Sequence, residues 1–148
     1  MTTIQLEQFI LAPTLAVYDY VTRPARWKEW HPASLGAQEH AAESLAAGAR
    51  FEEDILSAGI KRHLRWTVEE AEPGVRWAAS AVMDDGSTVH LLYRFEGRNT
   101  GMNFTRTLRY HVKPLHLRIV NALFMWRKVQ AESRLALSNL TRHFGGKR

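Results

Sequence analysis

The chain has 148 residues, no cysteine and a formal net charge of +5, with 45% hydrophobic and 24% charged residues. That is the size of a single domain spanning residues 1–148, long enough to bury roughly two-thirds of the surface its unfolded chain exposes and too apolar for wholesale disorder. The missing cysteines exclude disulfides, thiolate zinc sites and cysteine nucleophiles, and they suit a reducing, cytoplasmic setting. The start, MTTIQLEQFILAP, lacks the basic region and long apolar run of a signal peptide. The apolar stretch Ala122 to Trp126 is far too short to span a bilayer.

Thr2 to Ile10 alternates loosely, with Ile4, Leu6 and Phe9 as the apolar set, and reads as a first strand. Pro13 opens a short helix, where its missing N–H is tolerated, and Leu15, Val17, Tyr18 and Val21 form its apolar stripe. Arg23-Pro24 interrupts it, a second short helix carries Trp27 and Trp30, and His31-Pro32 ends that one. A stretch containing Gly and Ala follows to Gly48.

The pattern then changes to period two. Phe51 and Ile55 make the first set, Leu64, Trp66 and Val68 the second, and Val75, Trp77, Ala79 and Ala81 the third. Val89, Leu91, Tyr93 and Phe95 follow, and Met102, Phe104, Leu108, Tyr110 and Val112 close the series. Turn-like breaks at Ser57-Ala58-Gly59, Glu72-Pro73-Gly74, Asp84-Asp85-Gly86 and Arg98 to Gly101 separate them. Short turns between alternating strands predict an antiparallel meander with one buried face. Pro114 ends the sheet, and a helix runs to about Phe144, where Gly145-Gly146 stops it. Its first half adds Leu117, Val120, Phe124 and Met125 to the helical stripe, and an arc that wide predicts a half-helix surrounded by protein.

Polar residues on the apolar face are the candidates for chemistry. Period two places Glu53 with Phe51 and Ile55, and Arg106 between Phe104 and Leu108. A carboxylate and a guanidinium are thus expected in one interior, where each needs a partner. The pair is either an anchor, with Arg106 holding a carbonyl, phenolate or carboxylate and Glu53 orienting it or moving a proton, or a structural ion pair. His31 is a third candidate acid or base, or else a helix cap, beside Trp27 and Trp30, which either gate a cavity or close the core. Trp66, Trp77, Tyr93 and Tyr110 face inward by alternation and either line a pocket or pack the core, as do Phe104 on its strand and Val120 and Phe124 on the helix.

The histidines show no pair at ligand spacing, and His63, His90 and His111 fall outward by parity, so no metal is expected. No phosphate loop or nucleophile elbow is present. The basic residues read as spread out, the densest run being Lys61-Arg62-His63 with Arg65, and no nucleic-acid recognition motif accompanies them.

The order of strand, two short helices, about six antiparallel strands and one long helix resembles the START/Bet v 1-like (SRPBCC) superfamily, in particular its polyketide cyclase/dehydrase branch. The residues that carry the likeness are Ile10 to Val21, Trp27-Lys28-Glu29-Trp30-His31-Pro32, Val68 to Pro73, Tyr93-Arg94-Phe95, and Gly101 opening the last strand. The resemblance implies an α+β helix-grip fold with a cavity between sheet and long helix. It also implies a small hydrophobic ligand such as a lipid, polyketide, quinone or aromatic metabolite. A binding module without cofactor is the leading expectation, and a cyclase- or dehydratase-type enzyme the alternative. The expected partners are the small molecule and, in passing, an anionic membrane surface, with no nucleic acid, for a monomer or homodimer.

Overall fold

The computed structural model describes residues 1–145. The period-two segments join one continuous sheet. Strand β1 (Thr2–Ile10) leads into helix α1 (Thr14–Val21), a 3₁₀ turn at Pro24–Glu29 and the short strand β2 (Ser34–Ala37). A meander follows: β3 (Arg50–Ser57), β4 (Ile60–Glu72), β5 (Arg76–Met83), β6 (Thr88–Gly97) and β7 (Met102–His111). The strands are ordered β1-β7-β6-β5-β4-β3-β2, and each neighbouring pair is antiparallel. Strand β2, in the stretch containing Gly and Ala, is one that no alternating set marked. It lies at the sheet edge and pairs only with β3.

Helices α2 (Leu115–Val120) and α3 (Trp126–His143) flank a π-helical turn at Asn121–Met125, so the long C-terminal helix is unbroken but carries one wide turn. Gly145 follows its end with a φ of 84°, the left-handed conformation that suits glycine there, while Gly146 lies outside the described residues. Register shifts at Ser34/Gly36 and Val68/Glu70 add bends to the natural twist of the strands. The sheet therefore curls as a half-barrel around the long helix, which is the helix-grip arrangement. Gly101 sits where β7 begins, and a Cβ there would collide with the Ile10 carbonyl, so the close pairing of β1 with β7 requires glycine at this point.

The inner stripe of α3 is Ser133, Ala136, Leu137 and Leu140, all buried at helical spacing. Trp27 lies edge-on to Phe51, Trp66 and Trp77, at centroid distances of 5.6, 5.6 and 6.0 Å. Its Nε1 donates to the Val21 carbonyl at 2.7 Å, which locks the 3₁₀ turn onto α1. Tyr20 stacks on His143 at 4.1 Å and holds the end of α3.

Expectations are corrected at several positions: Phe9 and Leu15, read as members of apolar sets, are exposed. Val75 is exposed, because it belongs to the turn before β5 rather than to the strand. The first half of the long helix is not surrounded by protein: Leu115, Ile119, Val120, Leu123 and Phe124 are all exposed. Only Leu117, Asn121 and Met125 turn inward, with Val129 continuing the row. A π turn admits an extra residue and so keeps this four-residue spacing in line. The rest of the wide apolar arc points away from the sheet.

Candidate functional site

Between the curled sheet and α3 lies a cavity in which water-molecule centres could occupy about 120 Å³. One water needs roughly 10–15 Å³ by that measure, so the space suits several waters or one small molecule. Aromatic and aliphatic side chains form most of the wall, among them Trp27, Trp30, Trp66, Leu91 and Tyr93. Tyr110 also stands in the wall, but its hydroxyl donates to Asn121 Oδ1 at 2.6 Å, and Asn121 Nδ2 donates to Thr2 Oγ1 at 3.0 Å. That hydroxyl is tied to the π turn. Trp77 and Phe104 are fully buried behind the wall, with Trp77 Nε1 donating to the Leu45 carbonyl at 3.0 Å. Val120 and Phe124 lie outside the cavity on the exposed side of the helix, the reverse of the expected placement.

Alternation brings Arg106 of β7 to the interior, opposite Tyr93 of β6 in the register. Its Nη1 donates to Ser133 Oγ at 3.0 Å, and Nη2 lies 3.2 Å from His31 Nε2. Glu53 of β3 is also buried, but it forms no ion pair with Arg106 among the described residues. Instead, Trp66 Nε1 donates to Glu53 Oε1 at 3.0 Å. Burial pushes the Glu53 carboxyl up to about 7, against the opposing pull of its Ser34 and Trp66 neighbours and the Arg106 charge. Burial, and then the Arg106 charge, hold His31 well below its ordinary 6.5. Burial raises the Tyr93 hydroxyl as well, with Arg106 acting against it.

His31 is therefore neutral, and a neutral imidazole has one acceptor nitrogen. The Ala33 N–H reaches Nδ1 at 3.1 Å and Arg106 Nη2 reaches Nε2 at 3.2 Å, so two donors compete for that one acceptor. Whichever nitrogen accepts, one of the two donors is left over. A leftover buried donor is satisfied by an acceptor placed beside it.

The same excess of donors recurs around the cavity. Among the described residues, the buried side-chain nitrogens and oxygens without a hydrogen-bond partner are Trp30 Nε1, Ser34 Oγ, Arg62 Nη2 and Arg106 Nε. All four residues line this one cavity. The Ser34 hydroxyl lies near enough to the Glu53 carboxyl to act on it, and the Arg106 guanidinium near enough to the Tyr93 hydroxyl, so the excess rests on Trp30 Nε1 and Arg62 Nη2, nitrogens that only donate. The acidic wall residue Glu132 is already engaged: Ser57 Oγ donates to Oε1 at 2.6 Å and the Ala58 N–H to Oε2 at 2.9 Å, which joins the β3–β4 turn to α3.

Arg62, Ser133 and Glu132 complete the polar wall beyond the sequence-derived candidates. Alternation signals Arg62, because it shares the face of Leu64 and Trp66 within what reads as a basic run. It pairs with Asp85 at 3.4 Å and donates to Met83 Sδ at 3.0 Å. Ser133 is the polar member of the buried stripe of α3, visible from helical spacing. His111, expected outward, also stands in the wall at the end of β7. His63 and His90 are on the outer side, bonded to Glu52, Asp54 and Ser80. Among the described residues no group of three His, Cys, Asp or Glu is placed to hold a metal.

The family model for polyketide cyclase/dehydrase and lipid transport matches residues 1–145. The chain belongs to that family. The fold agrees: protein TTHA0849 from Thermus thermophilus superimposes with a TM-score of 0.76 at 16% identity, covering 97% of each chain. CV1439 from Chromobacterium violaceum gives 0.67 at 18% identity over 96% of each chain. Ara h 8.0201 gives 0.65 at 10% identity over 99% of each. No functionally curated protein sequence matches the chain. Membership implies that this family member binds a ligand in its helix-grip cavity. Among the described residues, no helix is long and apolar enough to cross a membrane.

Proposed function

We propose that this family member binds a small, largely apolar molecule carrying an oxygen acceptor, a carboxylate, phenolate or carbonyl, with that oxygen held by Arg106 and His31. The observation that carries the reading is the donor excess: unpartnered N–H groups of Trp30 and Arg62 in the wall of one cavity, and the Ala33 and Arg106 donors competing for the one acceptor nitrogen of His31. A buried donor left unpaired costs about 1–3 kcal/mol, and an acceptor arriving beside Arg106 and His31 relieves that penalty. The aromatic wall supplies the apolar contact, and a planar guanidinium suits an oxyanion.

The test is a titration with naphthoate and with naphthylmethanol, which share the ring system but not the charge. Wild type is expected to prefer naphthoate by about tenfold or more, as suits charge-assisted hydrogen bonds. Arg106→Met should erase that preference and keep a cooperative unfolding transition. Equal affinity for the two probes in wild type, or an unchanged preference in Arg106→Met, refutes the reading.

One observation favours a second reading. A carboxyl titrating at about 7 suits a general base at neutral pH. In a cyclase-type enzyme Glu53 would take a proton while Arg106 and His31 hold the developing oxyanion. That reading requires turnover that rises with pH through about 7 and vanishes in Glu53→Gln, whereas simple binding survives that substitution.

A further inference from the structure

The charge of this chain is divided between its two parts. Residues 1–96 carry nine Lys and Arg against fourteen Asp and Glu, while residues 97–148 carry eleven against one, Glu132. The lone acid is occupied by Ser57 and Ala58. From Lys113 to Lys128 the basic residues Lys113, Arg118, Arg127 and Lys128 are exposed, with no acid among them. On the same stretch Leu115, Ile119, Leu123 and Phe124 are 65%, 55%, 58% and 63% exposed. Scattered exposed apolar residues are ordinary, but contiguous large ones rimmed by cations on one short helical segment are not.

We infer that this segment, α2 with the π turn and the start of α3, docks on an anionic lipid bilayer. An apolar face with a cationic rim is what lies at the headgroup boundary of such a membrane. The rim excludes the obvious rival. A two-fold contact with a second copy through the same face would set the cationic rim of one copy, Arg118, Arg127 and Lys128, against the cationic rim of the other, with no acid in the segment to separate them. The +10 balance of residues 97–148 also favours a negative surface over a neutral one. The inner side of the segment is cavity wall, through Met125 and Val129. Docking would therefore set the apolar lipid region against the element that closes the cavity. The inference concerns the outer surface and does not depend on what the cavity holds.

The test is co-sedimentation of the full chain with vesicles of phosphatidylcholine alone, and of phosphatidylcholine with an equal share of phosphatidylglycerol. Wild type should bind the anionic vesicles, less so as salt rises, and bind the neutral ones far more weakly. Leu123→Ser with Phe124→Ser should weaken binding by on the order of a hundredfold. Arg118→Glu with Lys128→Glu should weaken it by about twentyfold or more. Arg94→Glu, outside this face, should change it little. Because the altered side chains are exposed, unfolding and naphthoate affinity should match wild type, which separates a failure here from a failure of the cavity reading. Absence of binding to anionic vesicles at low salt overturns the inference. So does undiminished binding by the Leu123/Phe124 variant, or a dimer that this variant dissociates.

Discussion

Replacing Glu53 with glutamine keeps the side-chain shape and the acceptor for Trp66 Nε1, and removes a carboxyl that the fold holds at about 7. In the unfolded chain the same group titrates near its ordinary 4.5. Between those two values the folded protein retains a proton that the unfolded chain has released, so wild-type stability falls as pH rises through this window. Each pKa unit is worth about 1.4 kcal/mol, and the full gap therefore amounts to a penalty of about 3 kcal/mol above neutrality. Glu53→Gln does not carry that penalty. Its stability advantage should be below about 1 kcal/mol near pH 5 and approach about 3 kcal/mol near pH 8. Urea unfolding of both proteins across this range measures it. His31 acts in the opposite sense: held below 6.5 in the fold, it makes stability rise with pH up to that value. It is present in both proteins and largely cancels in the difference. A gain that does not vary with pH would refute the argument that Glu53 is buried and proton-bound near neutrality.

Trp66→Phe removes the hydrogen bond to the Glu53 carboxylate. It should cost about 1–3 kcal/mol, more near pH 8 than near pH 5, in the same urea experiment. Asn121→Ala removes the acceptor of the Tyr110 hydroxyl and the donor to Thr2, and should also cost about 1–3 kcal/mol in thermal unfolding. Combining it with Tyr110→Phe should cost clearly less than the two single changes together, because both break the same contact. Glu132→Ala releases the β3–β4 turn from α3, so the Ala58 amide should exchange its hydrogen markedly faster, while exchange in the β6–β7 ladder stays as it was.

Sequence pattern alone determined most of the fold and part of the site. Period two set the faces of β3 and β7 and so turned Glu53 and Arg106 inward, because a one-residue slip would have exposed the whole apolar set of either strand. It reaches Arg62 as well, once the basic run is read by its alternation rather than by its charge. The edge strand β2 was not legible, because four residues of mostly small side chains carry no alternation signal and the strand exists through its pairing with β3. The wide apolar arc of the C-terminal helix shows the limit of periodicity. It marks which residues share a face, but whether Ile119 and its neighbours on that face are covered depends on what the sheet brings against them. The sheet reaches only the row through Asn121 and Met125, and Ile119 stays 55% exposed.

Tertiary structure alone decided which polar atoms are left without partners. The gap between His31 and Arg106 joins the loop after the 3₁₀ turn to β7, 75 residues apart in sequence. The elevated Glu53 carboxyl likewise follows first from burial by distant elements, with the charge of its chain neighbour Asp54 the smallest contribution. Alternation and helical spacing are local and record the direction of a side chain. Hydrogen-bond satisfaction and desolvation depend on every group that meets in the interior, and those meetings exist only once the sheet has closed on the helix.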